Sequence, residues 1–140
     1  MSKTEVKLLR FNEHADSRGS LIALEGNCEI PFSVKRIYYI YGNTANKKRG
    51  AHAHKNLKQL LIAIHGSISV QVEFRQQNQT YVLSSPSEGL YISGLVWREM
   101  VNFSPDSVLL VLASDNYNPQ DYIRDKILFN SLSAADRVLK

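Results

Sequence analysis

Short runs of apolar and β-branched residues recur along the chain, and turn-forming residues separate them. Residues 67–74 (SISVQVEF) alternate polar with apolar side chains, which is the two-residue period of a strand with one buried face. Residues 107–113 (SVLLVLA) are apolar almost throughout, as is typical of a strand buried on both faces. Further strands are predicted at 34–41, 60–64, 80–83 and 89–92, with turns at 42–43, 65–66, 77–78, 84–87 and 104–106.

Helical spacing is confined to the tail of the chain. Beyond Pro119, the residues Ile123, Ile127 and Leu128 recur at helical intervals, and apolar residues follow at 134, 135 and 138. Short strands at nearly regular spacing, without amphipathic helices between them, favour a sandwich or a barrel. We therefore expect one all-β domain over residues 1–140 with a short C-terminal helix.

Length and composition are those of a globular domain. The chain has 140 residues, of which 44% are hydrophobic and 21% charged, and this size can bury a sizeable core. Its one cysteine, Cys28, excludes an internal disulfide framework. Residues 1–10 (MSKTEVKLLR) do not read as a secretory signal, and the apolar run at 60–64 is too short to span a bilayer. These features predict a cytoplasmic protein that does not insert into a membrane.

The positive charge of the chain is small and mostly dispersed. Seventeen Lys and Arg residues against 13 Asp and Glu residues give a net charge of +4. The basic residues cluster at Lys47, Lys48 and Arg49, whereas a DNA-binding domain of this size usually concentrates many of them on one helix or stripe. The cluster fits a solvated surface or a site for a small anion better than a nucleic-acid interface.

Two histidines separated by one residue are the first candidates for chemistry. His52 and His54 lie in the segment GAHAH, and residues two apart in a strand project from the same face. Paired imidazoles serve as metal ligands or as acid–base groups. Two surface histidines would give the same pattern, so the surrounding residues must decide between these interpretations.

The segment around the histidines resembles the first motif of the cupin superfamily, in which His-x-His is followed by Glu and then by a turn glycine. Gln59 and Gly66 occupy those two positions here. The second cupin motif ends in a His followed four residues later by Asn. In residues 89–102 (GLYISGLVWREMVN), Arg98 stands in the place of that His, and Asn102 follows. The resemblance implies a cupin jelly roll, also called a double-stranded β-helix.

The two replaced positions decide which chemistry this resemblance allows. A metal-binding cupin uses three histidines and a carboxylate, whereas here Gln59 replaces the carboxylate and Arg98 the third histidine. A guanidinium stays protonated and cannot coordinate a cation. Two imidazoles with a neutral amide make a weak metal site compared with the three good protein ligands of a catalytic zinc. We therefore expect no metal, which leaves the histidines free to move protons and Arg98 free to hold an anion.

Seven segments within residues 5–130 resemble one cupin family, the sugar 3,4-ketoisomerases. They are 16–21 (DSRGSL), 35–41 (KRIYYIY), 49–55 (RGAHAHK), 57–61 (LKQLL), 89–92 (GLYI), 96–100 (VWREM) and 108–114 (VLLVLAS). One departure is Ser93–Gly94, where a proline is expected. The resemblance implies an isomerase without a cofactor, acting on dTDP-4-oxo-6-deoxyglucose in deoxyaminosugar and polysaccharide biosynthesis. It also implies a homodimer with exchanged N-terminal strands.

The implied reaction assigns roles to three candidate catalytic residues. Moving the ketone from C4 to C3 requires removal of the C3 proton, stabilisation of an enediolate and delivery of a proton to C4. Histidine suits both acid and base roles because its ordinary pKa of about 6.5 lies near working pH. We expect His52 and His54 to form the proton-handling pair, with His52 favoured as the C3 base. Tyr39 is the candidate for hydrogen bonding the enediolate oxygen, or else an aromatic of the barrel wall.

Four polar residues are candidates for binding the substrate. Arg98 suits the developing oxyanion or the diphosphate, since preorganised donors stabilise such charge. Arg49 and Arg18 are candidates for the diphosphate because arginine matches phosphate oxygens with a planar fork, although each could equally form a surface ion pair. Gln59 completes the predicted substrate-binding set.

Three other functions compete with the ketoisomerase. A sugar-nucleotide 3,5-epimerase shares the jelly roll and a histidine base, but it exchanges carbon-bound protons without relocating the carbonyl. A non-catalytic cupin that binds a sugar nucleotide would lack an output domain in 140 residues. A metal-dependent dioxygenase ranks last because of the replaced ligands.

Overall fold

Strands predominate in the computed structural model, which describes residues 2–44 and 47–138. The elements formed by these residues are β1 (Glu5–Arg10), β2 (His14–Asp16), β3 (Gly19–Leu21), β4 (Arg36–Ile40), β5 (Arg49–His54), β6 (Lys58–His65), β7 (Ile68–Phe74), β8 (Gln77–Leu83), β9 (Glu88–Ser93), β10 (Trp97–Val101), β11 (Val108–Ala113), β12 (Tyr122–Ile123) and α1 (Lys126–Val138).

Two five-stranded antiparallel sheets face each other. The first has the order β1-β9-β6-β11-β4, and the second has the order β12-β5-β10-β7-β8. From β4 onward the chain passes almost alternately between the two sheets, which is the arrangement of a jelly roll. Strands β2 and β3 pair with each other as a separate hairpin. The predicted all-β jelly roll with a short C-terminal helix is confirmed.

The space between the two sheets is apolar at one end and polar at the other. Along β6 the inward positions are Gln59, Leu61 and Ala63, so a buried amide lies directly above the apolar core. The core draws on both sheets, as expected when each buries one face. Its residues are Leu61, Ala63, Ile68, Val70, Val72, Leu83, Leu90, Ile92, Val96, Met100, Phe103, Leu109 and Val111. The polar end of this interior holds the predicted site.

The C-terminal helix covers the outside of the second sheet. Trp97 lies on the outer face of β10, beside the inward Arg98, and its ring packs against Phe129 of α1 at an angle of 53° with centroids 5.5 Å apart. Ala53, Leu95 and Ile123 join this second cluster. The alternation of side chains along a strand predicts the outward position of Trp97, and the structure confirms it.

The predicted helix begins later than the apolar spacing indicates. Ile123 belongs to β12 and pairs with Ala53 of β5, so its backbone is used by the sheet. The carboxylate of Asp125 accepts the N–H of Ile127 at 2.9 Å and caps the start of α1. In this helix Ile127 and Leu128 are exposed rather than buried. Among residues 2–44 and 47–138, no helix is long and apolar enough to cross a membrane.

The turn predicted at residues 77–78 lies two residues earlier. Arg75 and Gln76 both have left-handed backbones, with φ of 51° and 62°, and they connect β7 to β8 as a two-residue hairpin turn. Gln77 and Asn78 instead begin β8. Such turns favour Asn and Gly, which this segment lacks at the turn itself, so the sequence carried no local signal for the correct position.

Candidate active site

The two histidines of β5 lie on the inner face of the second sheet, at its polar end. His52 pairs in register with Arg98 of β10, and His54 pairs with Tyr122 of β12. Residues opposite each other on neighbouring strands share a face, so all four side chains point to the same side. The two imidazole rings meet edge to face with centroids 4.8 Å apart, and the Tyr122 ring lies 4.3 Å from that of His54. His54 is buried and His52 is half-buried.

A β-bulge just before the histidines places Arg49 on the same face. Between Arg98 and Glu99 the register with β5 shifts by one residue, which leaves Ala51 as the extra residue. Arg49 therefore pairs with the inward Met100, and its side chain is exposed. Gly50 is required here, because its φ is +92° and a Cβ would lie 2.8 Å from the carbonyl oxygen of Arg98.

Asp121 fixes the tautomer of His54. Its Oδ2 lies 3.1 Å from Nδ1 of His54 and also accepts the N–H of Leu57 at 3.3 Å, while Oδ1 accepts the N–H of Asn56 at 2.8 Å. Because a carboxylate oxygen only accepts hydrogen bonds, the proton of the His54 imidazole must lie on Nδ1, and Nε2 keeps its lone pair. In the part of the chain that the structure describes, this buried Nε2 has no hydrogen-bond partner. It is a free proton acceptor aimed into the interior.

A hydrogen-bonded chain connects the two sheets beside the histidines. Arg98 is only 1% exposed, and its Nη1 donates to Oε1 of Gln59 at 2.5 Å. Its Nε and Nη2 both donate to the carbonyl oxygen of Val96, at 3.2 and 3.0 Å. Nε2 of Gln59 in turn donates to the hydroxyl of Tyr38 at 3.2 Å. The chain therefore runs from a buried cation to a phenol.

Burial and the Arg98 cation set the protonation of the site. Burial lowers the pKa of His52 to about 4, and the neighbouring charge of Arg98 contributes to the shift. The pKa of His54 is lowered further by the same two causes. Burial also lowers the pKa of Arg98, to about 10, which leaves the guanidinium protonated at neutral pH. Near pH 7 the site thus combines two neutral bases with the fixed positive charge of Arg98.

The structure places Tyr39 away from the histidines of its own chain. On β4 the side chains of Tyr38 and Tyr39 point to opposite faces, and the hydrogen bond to Gln59 is made by Tyr38. Tyr39 is 62% exposed on the outer face and stacks on Tyr41 with centroids 6.1 Å apart. Both alternating sets of residues in this strand include aromatic and apolar side chains, so the pattern does not indicate which set faces inward.

Two other predicted residues have surroundings that differ from those expected. Arg18 lies in the turn of the β2–β3 hairpin with its side chain 89% exposed, and its Nη2 bonds Oδ2 of Asp16 at 2.6 Å. This ion pair, rather than the histidines, is its partner within the chain. Gln59 is 3% exposed and uses both ends of its amide on Arg98 and Tyr38. Direct substrate contact by either residue stays a prediction.

Sequence reasoning missed three residues of the site. Tyr38 lies one position from the predicted tyrosine, and Asp121 and Tyr122 lie in the segment predicted as helical. Asp121 is 67 residues from the histidine it orients, so no local spacing could have found it. Among the described residues, no group of three or more His, Cys, Asp or Glu side chains is placed to hold a metal ion. A metal-free site stays a prediction.

Comparisons with known proteins agree on one family. Residues 4–134 match the family described as FdtA: WxcM-like, C-terminal. The TDP-4-oxo-6-deoxy-alpha-D-glucose-3,4-oxoisomerase of Aneurinibacillus thermoaerophilus is 48% identical over 120 residues, which are 86% of each chain. A 3,4-ketoisomerase from Helicobacter canadensis is 48% identical with a TM-score of 0.89, covering 92% of this chain and 97% of its own.

A ligand-bound structure and a more distant one complete the comparison. QdtA, a sugar 3,4-ketoisomerase from Thermoanaerobacterium thermosaccharolyticum solved in complex with TDP, is 42% identical with a TM-score of 0.91, covering 93% of this chain and 95% of its own. ChmJ, a 3′-monoepimerase from Streptomyces bikiniensis, is only 15% identical with a TM-score of 0.74, and it shares the fold alone. The match over residues 4–134 and the 48% identity across most of both chains show that this chain belongs to the FdtA-like sugar 3,4-ketoisomerase family of the cupin fold.

Proposed function

We propose that the protein moves the ketone of dTDP-4-oxo-6-deoxyglucose from C4 to C3. The observation that carries this proposal is a pair of neutral imidazoles held beside the buried cation of Arg98. Two bases can remove and return protons, and a fixed cation in a site of low polarity stabilises the intervening anion. The named activity of the relatives supports the same reaction and substrate.

The proposed reaction needs only proton transfers. His52 removes the C3 proton, and the electron pair of that bond forms an enediolate whose charge faces Arg98. A proton then passes from O3 to O4 with His54 as the carrier, and a proton from solvent is delivered to C4 to complete the 3-ketone. His52 releases the C3 proton to solvent and is neutral again. Oxidation at C3 balances reduction at C4, so the substrate gains and loses no electrons. Tyr38 takes the hydrogen-bonding role predicted for Tyr39, since its hydroxyl lies on the inner face.

The arginines divide between the sugar and the diphosphate. Arg98 is enclosed by the interior and suits the oxyanion. Arg49 is exposed and lines a surface cavity together with Gly42 and Lys48, and it suits the diphosphate. Arg18 also suits the diphosphate, and we propose that it acts on the site of a partner subunit because its hairpin projects from its own chain.

Product analysis tests the proposed function. The protein is incubated with dTDP-4-oxo-6-deoxyglucose in D2O, and the sugar is followed by ¹H and ¹³C NMR. We expect the carbonyl carbon to move from C4 to C3, with deuterium bound at C4, and the coupling constants then identify the configuration there. Deuterium at C3 or C5 with the ketone still at C4 would instead identify an epimerase. Binding without any exchange would identify a sugar-nucleotide-binding protein.

The lowered pKa of His52 predicts an unusual pH profile. The base must be neutral, so kcat/KM of the free enzyme should fall only as the pH approaches about 4. We expect kcat/KM to be nearly constant from pH 6 to 8, whereas a base with the ordinary pKa of about 6.5 would lose roughly three quarters of its neutral form by pH 6. An acidic limb centred between pH 6 and 7 would contradict the assignment.

The same shift has a consequence for stability. Because the folded pKa of His52 lies below the unfolded value, the unfolded chain binds more protons as the pH falls from about 6.5 toward 4. The free energy of unfolding should therefore decrease in that window, and urea unfolding at each pH measures the decrease. Rates at low pH should be taken from initial velocities, before the protein unfolds.

We also propose that the protein forms a homodimer through the outer face of the first sheet. Ile37, Tyr39 and Tyr41 project outward from β4, an edge strand, and each is at least 60% exposed. Leu21 of the hairpin is equally exposed. Clusters of exposed large apolar residues mark interaction sites, and β-strand edges pair readily with other chains. The family resemblance implies a homodimer, so we assign this surface to a second copy of the chain.

Exchange of the N-terminal strands fits the position of β1. This strand lies at the opposite edge of the same sheet and pairs with β9 from Glu5–Ser93 to Arg10–Glu88. The same six pairs can form between two chains, so exchange would need no new register. A cytoplasmic location remains a prediction of the sequence.

Sedimentation tests the dimer. Replacing Tyr39 by Asp should shift the protein from twice the chain mass of 15.9 kDa to one chain mass, because a charge would be buried in the interface. Thr80→Asp, on an exposed position of β8, is the matched control and should leave the dimer intact. A wild-type protein that sediments as one chain at micromolar concentration would refute the dimer.

A further inference from the structure

Gln59 joins two groups of opposite hydrogen-bonding character, and its own polarity is fixed by one of them. A guanidinium has only donors, so Arg98 must face the carbonyl oxygen of the Gln59 amide. The amide nitrogen must then face Tyr38, and an NH₂ group only donates. The hydroxyl oxygen of Tyr38 is therefore an acceptor in this contact. The orientation follows from the chemistry of Arg98 and leaves no choice of amide rotamer.

The proton of the Tyr38 hydroxyl is consequently left for another acceptor. A phenol that accepts one hydrogen bond still has one O–H to donate. Within residues 2–44 and 47–138 the hydrogen-bond partner of this hydroxyl is Gln59, which donates to it, and the side chain lies on the inner face of β4. The hydroxyl faces the same polar end of the interior as the histidines, since Arg98 bonds Gln59 and pairs with His52.

We propose that Gln59 is a positioning residue that makes Tyr38 a hydrogen-bond donor to the sugar oxygens during ketone transfer. The inference rests on the proposed function. It adds that Arg98 fixes the orientation of the Gln59 amide, and that this amide in turn makes the Tyr38 hydroxyl a donor. A glutamate at this position would bond Arg98 equally well, but it would accept the Tyr38 proton instead of donating to its oxygen. The amide therefore donates to the phenol oxygen and leaves the phenol proton free, which the carboxylate of other cupins could not do.

The Tyr38 phenol remains protonated in this arrangement. Burial raises its pKa, while the Gln59 hydrogen bond and the charge of Arg98 lower it by smaller amounts. The other charged and titratable groups that face it are Arg36, whose guanidinium lies 4.8 Å from the ring centroid, and Tyr122. A protonated phenol at neutral pH is the form that can donate.

The nearly isosteric substitution Gln59→Glu tests the polarity. We expect kcat to fall about tenfold or more, the equivalent of one hydrogen bond to a charged transition state, with KM changed less than about threefold. In a Tyr38→Phe background the decrease in kcat caused by Gln59→Glu should be about tenfold smaller, because the hydroxyl proton that glutamate would accept is already absent. Gln71→Glu, on an exposed position of β7, controls for the added charge.

Two kinetic outcomes would overturn the proposal. A Gln59→Glu protein with nearly normal kcat would mean that Gln59 only holds Arg98, a role that glutamate fills. An equal loss with and without the Tyr38 hydroxyl would mean that Gln59 acts independently of Tyr38. Thermal unfolding and dTDP binding of each variant exclude a general loss of structure.

A measurement without substrate keeps this test separate from the proposed function. The ¹³Cζ resonance of Tyr38 is titrated in wild-type protein and in Gln59→Glu. We expect the pKa of Tyr38 to rise in the variant, because ionisation would place two anions in contact. An unchanged titration would overturn the proposal even if the enzyme turns over normally. Failure of the wild type to isomerise the sugar would reject the proposed function and leave this titration valid.

Discussion

Replacing His52 by Asn is expected to lower the rate of ketone transfer by about 10²–10⁴-fold, the usual contribution of a general base. His52 is the half-buried member of the pair, and its pKa of about 4 keeps it neutral at working pH. Asparagine retains a polar side chain but cannot take up a proton. The measurement is the initial rate of 3-ketone formation in D2O, together with the incorporation of deuterium at C4 of the product.

Two controls make the His52 result specific. His65→Asn replaces an exposed histidine at the end of β6 and should leave the rate unchanged. Binding of dTDP to His52→Asn, measured by calorimetry, should remain within about threefold of wild type, since a base contributes to the transition state more than to the ground state. A variant that keeps more than a tenth of the activity would show that the C3 base is another group.

Replacing Asp121 by Asn is the second change for which we expect a large effect, a decrease in kcat of about 10²-fold. The three groups that point at the carboxylate are all N–H donors: His54 Nδ1 and the backbone of Asn56 and Leu57. An amide has only one accepting oxygen, so its NH₂ group must face one of these donors unless His54 changes tautomer. In the other tautomer Nδ1 has a lone pair that accepts a hydrogen bond from the NH₂ group. In that tautomer the proton lies on Nε2 of His54, and Nε2 then cannot accept a proton from the sugar.

The tautomer itself distinguishes positioning from a structural role. We expect ¹⁵N NMR of the imidazole to show the proton on Nδ1 of His54 in wild type and on Nε2 in Asp121→Asn. The free energy of unfolding should also fall by about 1–3 kcal/mol, because a buried donor loses its acceptor. Asp115→Asn, an exposed position nearby, is the control and should change neither quantity. Reduced kcat with an unchanged tautomer would contradict the orienting role.

Arg98 acts on several groups of the site. Burial, followed by the cation of Arg98, lowers the pKa of both histidines, and the same cation faces the proposed enediolate and fixes the amide of Gln59. It lies on the second sheet, opposite His52, while Gln59 and Tyr38 lie on the first. The site therefore depends on how the two sheets are packed together, and the apolar core beneath it holds them in place.

The sequence by itself determined the class of fold and the type of chemistry. Alternation in residues 67–74 and turn residues between short strands are local features, because the strand period is a property of the backbone. The spacing of His52 and His54 was equally local. The presence of Gln59 and Arg98 in ligand positions was read from residue identity, since neither an amide nor a guanidinium replaces a metal ligand well.

Only the tertiary structure decided which side chains meet. Tyr38 and Tyr39 are equally suited to either face of β4, and the pairing of β4 with β11 chose between them. Asp121 reaches His54 across 67 residues because β12 pairs with β5 in place of the predicted helix. The bulge at Ala51 put Arg49 on the catalytic face through a register shift against β10. Each of these choices depends on contacts between distant segments, which the pattern along a single chain does not encode.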